Sequence, residues 1–65
     1  MNENKFIRVQ DFLTGKGMLI RVPCIERVWE ADVKGVICRV VKLSDGTTEY
    51  VTNTLESIAY ELSNI

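Results

Sequence analysis

The side chains in this chain that could support catalysis are few, and their spacing argues against it. The sequence has no histidine and two cysteines, Cys24 and Cys38, so neither thiol has an imidazole that could deprotonate it. Three carboxylates, on Glu26, Glu30 and Asp32, lie close together without a base beside them, which is typical of a solvated strand edge. We therefore expect no catalytic residue, no metal site and no cofactor, and we predict that the protein is not an enzyme.

The segment Gly15, Lys16 and Gly17 has some of the features of a phosphate-binding loop. It lacks the four-residue spacer of such a loop and the hydroxyl residue after the lysine, and no helix is predicted to follow it. Glycines on both sides of a lysine are instead typical of the point where a β-hairpin reverses. We interpret this segment as a turn.

A nucleic-acid-binding role is the alternative that the basic residues suggest. The candidate residues are Arg8, Arg21, Arg27, Trp29 and Lys34, and Arg39 would extend the same stripe. Arginines on strands next to a tryptophan could contact a nucleic acid, since its bases stack on aromatic rings. The formal net charge is −1, however, and interleaved acidic residues weaken such a field. We therefore favour a protein partner over a nucleic acid.

The length and composition indicate one domain that would gain stability from association. The chain has 65 residues, of which 46% are hydrophobic. A chain of this size buries only about 60% of its unfolded surface, so a homo-oligomer is expected. The first residues lack the apolar core of a signal peptide, and no apolar run is long enough to span a membrane. We expect a cytoplasmic protein with reduced thiols and no membrane partner.

Two hairpins are predicted from alternating apolar residues. In the first, a tight turn would pair Leu13 with Met18 and Val9 with Val22, and residues 1–4 would be frayed.

The second hairpin would turn at Asp45 and Gly46, a pair that favours a two-residue type I′ turn. That turn sets Lys42 opposite Glu49, Val41 opposite Tyr50 and Val40 opposite Val51. Opposite charges and apolar partners then match in one register.

Residues 22–35 leave two readings open. Ile25, Val28 and Trp29 have helical spacing, and Pro23 is compatible with a first helical turn. The alternative is a turn at Pro23 followed by a strand over 25–31 that pairs with 36–42. In that strand, Trp29 would lie opposite Cys38 and Ala31 opposite Val36, and Val28 would face the other side.

The C-terminal segment is predicted to be a helix over residues 53–64. Asn53 would cap it, and Glu56 would complete a capping box. The apolar stripe consists of Leu55, Ile58, Ala59, Leu62 and Ile65.

The predicted fold is therefore α+β: a small antiparallel sheet of four to five strands, in two or three hairpins, with one C-terminal helix. One helix covers only one face of a sheet, and the second apolar face predicts an interface. The predicted interface residues are Trp29, Val36, Cys38, Val40 and Val51.

Residues 19–62 resemble the FlbD family of small motility-associated proteins. The resemblance lies in IERVWEA, VICRVVKLSDGTTEYV and TLESIAYEL, which match its Ile-Glu run, its two strands around a glycine turn and its short helix. The same layout is similar to part of a LytTR DNA-binding domain. Neither family supplies a catalytic residue, and the resemblance implies a small regulatory or adaptor protein.

Overall fold

The computed structural model describes residues 5–64 as five antiparallel strands and one helix. A two-stranded sheet contains β1 (Phe6–Gln10) and β2 (Gly17–Arg21); a three-stranded sheet contains, in spatial order, β3 (Ile25–Val33), β4 (Val36–Leu43) and β5 (Thr48–Val51). Helix α1 is Leu55–Ser63. The α+β class and the C-terminal helix are confirmed, but the strands form two sheets rather than one. The expected fraying of residues 1–4 lies outside the described residues.

The hydrophobic core lies where the two sheets and the helix meet. Its buried residues are Ile7, Val9 and Ile20 from the first sheet, Val41 and Val51 from the second, and Ile58 from α1. The two sheets join where Asp11, just after β1, bridges to Val51 of β5. Each element therefore buries one apolar face in a shared core.

The first hairpin forms, but the predicted tight turn is wrong. Met18 pairs with Val9 rather than with Leu13, a shift of four residues. A loop over residues 11–16 replaces the tight turn, and the Asp11 carboxylate accepts a hydrogen bond from the Leu13 N–H at 2.8 Å. Leu13 leaves the strand and is 80% exposed. Because the shift is even, it leaves each side chain on the same face of the hairpin, and Val9 is buried.

The segment at Pro23 is a turn followed by a strand, so the longer helix is wrong. Val22–Cys24 forms a single turn of 3-10 helix with the proline in its first positions. Strand β3 then starts at Ile25 and has a bulge between Ile25 and Arg27. Proline fits before the strand because it has no N–H to donate to a sheet.

A type I′ turn does occur, but it joins β3 to β4 at Lys34 and Gly35, whose φ angles are 53° and 86°. The Asp32 carboxylate accepts the Gly35 N–H at 2.7 Å. This short turn sets Trp29 opposite Val40 rather than opposite Cys38, a shift of two residues. An even shift leaves each side chain on its predicted face.

The connection from β4 to β5 is one residue longer than predicted. Leu43 pairs with Thr47 through a hydrogen bond of 2.8 Å from N–H to carbonyl, and Gly46 adopts a φ of 94°. This is a three-residue loop with a glycine in the left-handed region, rather than a type I′ turn at Asp45 and Gly46. The one-residue slip turns every β5 side chain to the other face.

Three predicted pairs in the second hairpin are therefore wrong. Val41 lies opposite Glu49, Val40 opposite Tyr50, and Lys42 opposite Thr48. The expected Lys42–Glu49 ion pair does not form in this register. Instead, Lys42 Nζ lies 3.4 Å from a carboxylate oxygen of Glu26.

Helix α1 begins later than predicted and has a different cap. The Thr54 hydroxyl accepts the Ser57 N–H at 3.1 Å, so Thr54, not Asn53, is the N-cap. With that cap, Glu56 is not in the position of a capping box. Within the predicted stripe, Ile58 is buried and Leu62 packs against the core, whereas Leu55 and Ala59 are exposed. Ile65 lies outside the described residues.

Candidate interaction surface

The three-stranded sheet has an outer face, opposite the core. It is formed by Arg27, Trp29, Ala31, Val33, Val36, Cys38, Val40, Lys42, Thr48 and Tyr50. The inward side is identified by Val28 and Val41, which are paired across β3 and β4 and belong to or pack against the core. Successive side chains alternate between the two faces of a strand, so Trp29 and Val40 face outward.

Four of the five predicted interface residues share this outer face, but they differ in exposure. Val36 is 53% exposed and Trp29 is partly exposed, whereas Cys38 and Val40 are 0% and 3% exposed. Cys38 and Val40 therefore support the surface from within the chain and offer little area to a partner. Tyr50, 41% exposed, belongs to the surface although it was not predicted there.

Val51 is the incorrect member of the predicted interface. It is fully buried in the core, opposite Arg39 on the inward side of the sheet. The physical reason is the longer loop around Gly46, which exchanges the faces of Val51 and Tyr50. The one additional residue in this loop therefore determines which β5 side chains face outward.

One end of the outer face is basic. Arg27 and Lys42 lie opposite each other, and the Arg27 guanidinium carbon is 5.2 Å from the centroid of the Trp29 ring. The regular outward positions of β3, β4 and β5 carry no acidic residue, but the carboxylate of Glu26, at the β3 bulge, lies 3.4 Å from Lys42 Nζ. The surface thus combines aromatic rings, aliphatic side chains and two cations, of which Lys42 is paired with a carboxylate and Arg27 contacts the Trp29 ring.

The predicted nucleic-acid residues fall into separate groups. Arg8 and Arg21 lie on the exposed side of the first hairpin, opposite Leu19 and Phe6 respectively.

The other members of the set lie elsewhere. Arg27 and Trp29 lie on the outer face, and Lys34 lies in the turn between β3 and β4. The structure does not place all five residues on one sheet.

Arg39 belongs to the interior side of the second sheet and has a structural role that the sequence reasoning missed. Its Nε donates to the carbonyl of Asn53 at 2.6 Å, and its Nη2 donates to the carbonyl of Thr52. Its Nη1 lies 3.8 Å from a carboxylate oxygen of Glu30, and the side chain is only 11% exposed. The available signal was one polar residue on a strand face that otherwise carries Ile37 and Val41.

The three candidate carboxylates also have structural partners: Glu26 contacts Lys42, Glu30 contacts Arg39, and Asp32 accepts a hydrogen bond in the turn at Gly35. Cys24 and Cys38 are free thiols. Within residues 5–64, no group of three or more His, Cys, Asp or Glu side chains could hold a metal ion. These acidic residues therefore act in ion pairs and a turn rather than converging on a shared site.

No protein-family model, no curated protein and no solved structure matches this chain. In the part of the chain that the structure describes, no helix has the length and apolar character needed to cross a membrane. The outer face, with Val36 and Tyr50 exposed beside Trp29, is the most distinctive surface of the described residues.

Proposed function

We propose that this protein is a small non-catalytic binding or regulatory module that self-associates through its outer face. The observation that supports the proposal is an apolar surface with Trp29, Val36 and Tyr50 partly exposed above a buried base. Helix α1 packs on the opposite, core side of the sheet through Ile58, so it does not cover this surface. Water-exposed aromatic and aliphatic side chains that lie together are typical of protein interfaces.

A second copy of the chain is the proposed occupant of the outer face. A two-fold contact needs only one self-complementary patch, and homodimers with this symmetry are the commonest assemblies. Trp29 is the central residue of β3, and the outer face of a partner would bury its ring fully. Tryptophan and tyrosine supply the largest apolar areas in such contacts.

Light scattering after gel filtration, over a dilution series from low to high micromolar concentration, tests this proposal. We expect the mass of a dimer at the upper end, and Trp29→Ala should weaken association by about 2 kcal/mol or more. Leu19→Ala is the matched control, because Leu19 is 65% exposed on the other sheet. A monomer throughout the series would overturn the proposal. An unchanged mass with a lower melting temperature would assign Trp29 to the monomer's own packing.

Binding of a single-stranded nucleic acid is the second candidate function. It is favoured by the Arg27–Trp29 contact on an exposed sheet face, where Lys42, paired with Glu26, lies opposite Arg27. Aromatic rings on a sheet stack with bases, and cations contact the phosphates. Titration of labelled single-stranded DNA and RNA at low salt tests it: affinity should fall steeply as salt rises, and Arg27→Glu should abolish binding. An absence of binding at low salt would remove this candidate.

The regulatory character of the proposal also draws on the resemblance to the FlbD family and to part of a LytTR domain. Both suggest an adaptor or regulator without catalytic residues. We further propose a reducing, cytoplasmic setting, supported by the buried free thiol of Cys38. Thiol titration of the protein purified without reductant tests that setting, and two reactive thiols after denaturation are expected.

A further inference from the structure

The edge of β1 that faces away from β2 is only partly used. Gln10 directs its main chain to this side: its N–H donates to the Asn53 side-chain oxygen at 2.8 Å, and its carbonyl accepts the Thr52 N–H at 3.0 Å. Main-chain groups alternate between the two edges of a strand. Arg8, two residues earlier, must therefore direct its N–H and carbonyl to the same side as Gln10.

The hydrogen bonds that flank β1 confirm this alternation. The Lys5 carbonyl accepts from Val22 at 2.9 Å, and the Asp11 N–H donates to Lys16 at 2.8 Å. Odd-numbered residues of this strand thus pair toward β2, and even-numbered residues point away from it. Among the described residues, no hydrogen bond partner is recorded for the Arg8 main chain on this free side.

A groove of about 490 Å³ lies along this free edge. Its walls include Arg8 and Gln10 from the strand and Ser57 and Glu61 from α1. Strand β5 leaves the space next to Arg8 vacant, because the chain contacts β1 at Asp11 and Gln10 and then turns away into the helix. Peptide-binding domains that add a strand use such an edge, where unpaired main-chain groups face an open groove.

The groove carries one cation, the Arg8 guanidinium, and one carboxylate, Glu61 from α1, so an acidic side chain would be bound at Arg8. It lies over Gly17, where a Cβ would come within 3.3 Å of its Nη2, so the glycine leaves the room that the arginine occupies. The structure records no hydrogen bond or ion pair for this guanidinium with residues 5–64. A carboxylate is the group that a guanidinium binds best, through paired hydrogen bonds.

We propose that this groove binds an extended peptide segment as an added strand on β1, with an acidic side chain at Arg8. The main chain of the peptide pairs with the N–H and carbonyl of Arg8, and its carboxylate binds the guanidinium. This site lies on a different surface from the outer face, so it does not depend on self-association.

Selection from a displayed library of random linear peptides tests the proposal. The expected consensus contains β-branched residues and an aspartate or glutamate at one position. A fluorescein-labelled synthetic peptide of that consensus should slow amide hydrogen exchange at Arg8 and leave the exchange of Ile7 and Val9 unchanged. Methylation of the peptide nitrogen that pairs with the Arg8 carbonyl should abolish binding.

The charge-reversal variant Arg8→Glu provides the decisive comparison. This variant should bind the acidic peptide about tenfold or more weakly and should prefer a peptide with lysine at the same position. Lys34→Glu, with the same charge change in the turn between β3 and β4, should leave the affinity unchanged. The proposal is overturned if no peptide is selected, if Arg8→Glu has no effect, or if binding protects the outer face instead of the Arg8 amide.

Discussion

Arg39 Nε lies 2.6 Å from the carbonyl oxygen of Asn53, and this contact fastens β4 to the segment that leads into α1. The same guanidinium donates to the Thr52 carbonyl, and the Asn53 side chain accepts the Gln10 N–H at 2.8 Å. Two side chains thus connect β4, the end of β5 and the end of β1. The orientation of the helix over the core depends on this polar junction.

Arg39→Ala should lower the free energy of unfolding by about 1.5–3 kcal/mol, because hydrogen bonds from a charged, partly buried group are among the stronger ones and two carbonyls lose their donor. Urea unfolding followed by far-UV circular dichroism measures the loss. Lys42→Ala is the control, since its ion pair with Glu26 is exposed and contributes about 1 kcal/mol at most. Equal losses of stability in the two variants would contradict a stabilising role for the hydrogen bonds of Arg39 with Thr52 and Asn53.

Thr54→Ala should destabilise the protein by about 1 kcal/mol, because it removes the side-chain cap of α1. Glu56→Ala should change the stability by less than about 0.5 kcal/mol, since its side chain does not complete a capping box. Thermal unfolding of the two variants side by side distinguishes them. A larger effect at Glu56 than at Thr54 would place the cap at Asn53 after all.

Val51→Ala should cost about 2–3 kcal/mol of stability, from two lost methyl groups and the cavity that remains. The molar mass of the Val51→Ala variant in light scattering should equal that of the unsubstituted protein, because Val51 faces the core. Val36→Ala, at a position 53% exposed, should cost less than about 0.5 kcal/mol. The opposite order of these two losses would restore the predicted register of the second hairpin.

Lys34→Asn should stabilise the protein by roughly 0.5 kcal/mol, because Lys34 has a φ of 53° and asparagine tolerates this left-handed region better than lysine does. Gly35→Ala should be destabilising, since a side chain at a φ of 86° is strained although there is space for it. Chemical denaturation gives both changes. A loss of stability in Lys34→Asn would argue against the type I′ turn.

The pKa of the Asp45 carboxyl should lie below the ordinary value for aspartate. The hydrogen bond from the Thr47 hydroxyl, and next the one from the Thr47 N–H, lower the pKa of Asp45 from 3.8. The contribution of the ionised Asp45 carboxylate to folding stability is therefore fully present above pH 3.8. It is lost as the pH falls through the lower pKa that Asp45 has in the folded protein. Nuclear magnetic resonance titration of the Asp45 carboxyl carbon measures this pKa, and Thr47→Val should raise it. A midpoint at or above 3.8 would contradict the contact.

Much of the local structure could be predicted from the sequence because it depends on short-range periodicity. Alternation placed Val28 and Trp29 on their correct faces, and a turn at Pro23 followed by a strand was one of the two structures that the spacing left open. Helical spacing likewise identified Ile58 as the centre of the buried stripe. These features survive errors in pairing, because an even shift of register leaves each face unchanged.

The pairing itself required the tertiary structure. The loop at Asp45 and Gly46 has one residue more than a type I′ turn, and this difference alone moved Val51 into the core and Tyr50 onto the outer face. An Asp-Gly pair is compatible with both loops, so its residue types do not specify the register.

The polar junction could not be predicted from the sequence either. Gln10 and Asn53 are 43 positions apart, and their residue types do not indicate that they form a hydrogen bond. The sequence by itself determined the elements and most of their apolar faces, since these follow from the alternation of side chains along each strand and the period of the helix. The tertiary structure decided the register, the division into two sheets, the role of Arg39 and the groove beside Arg8, because each of these depends on how distant segments pack against one another.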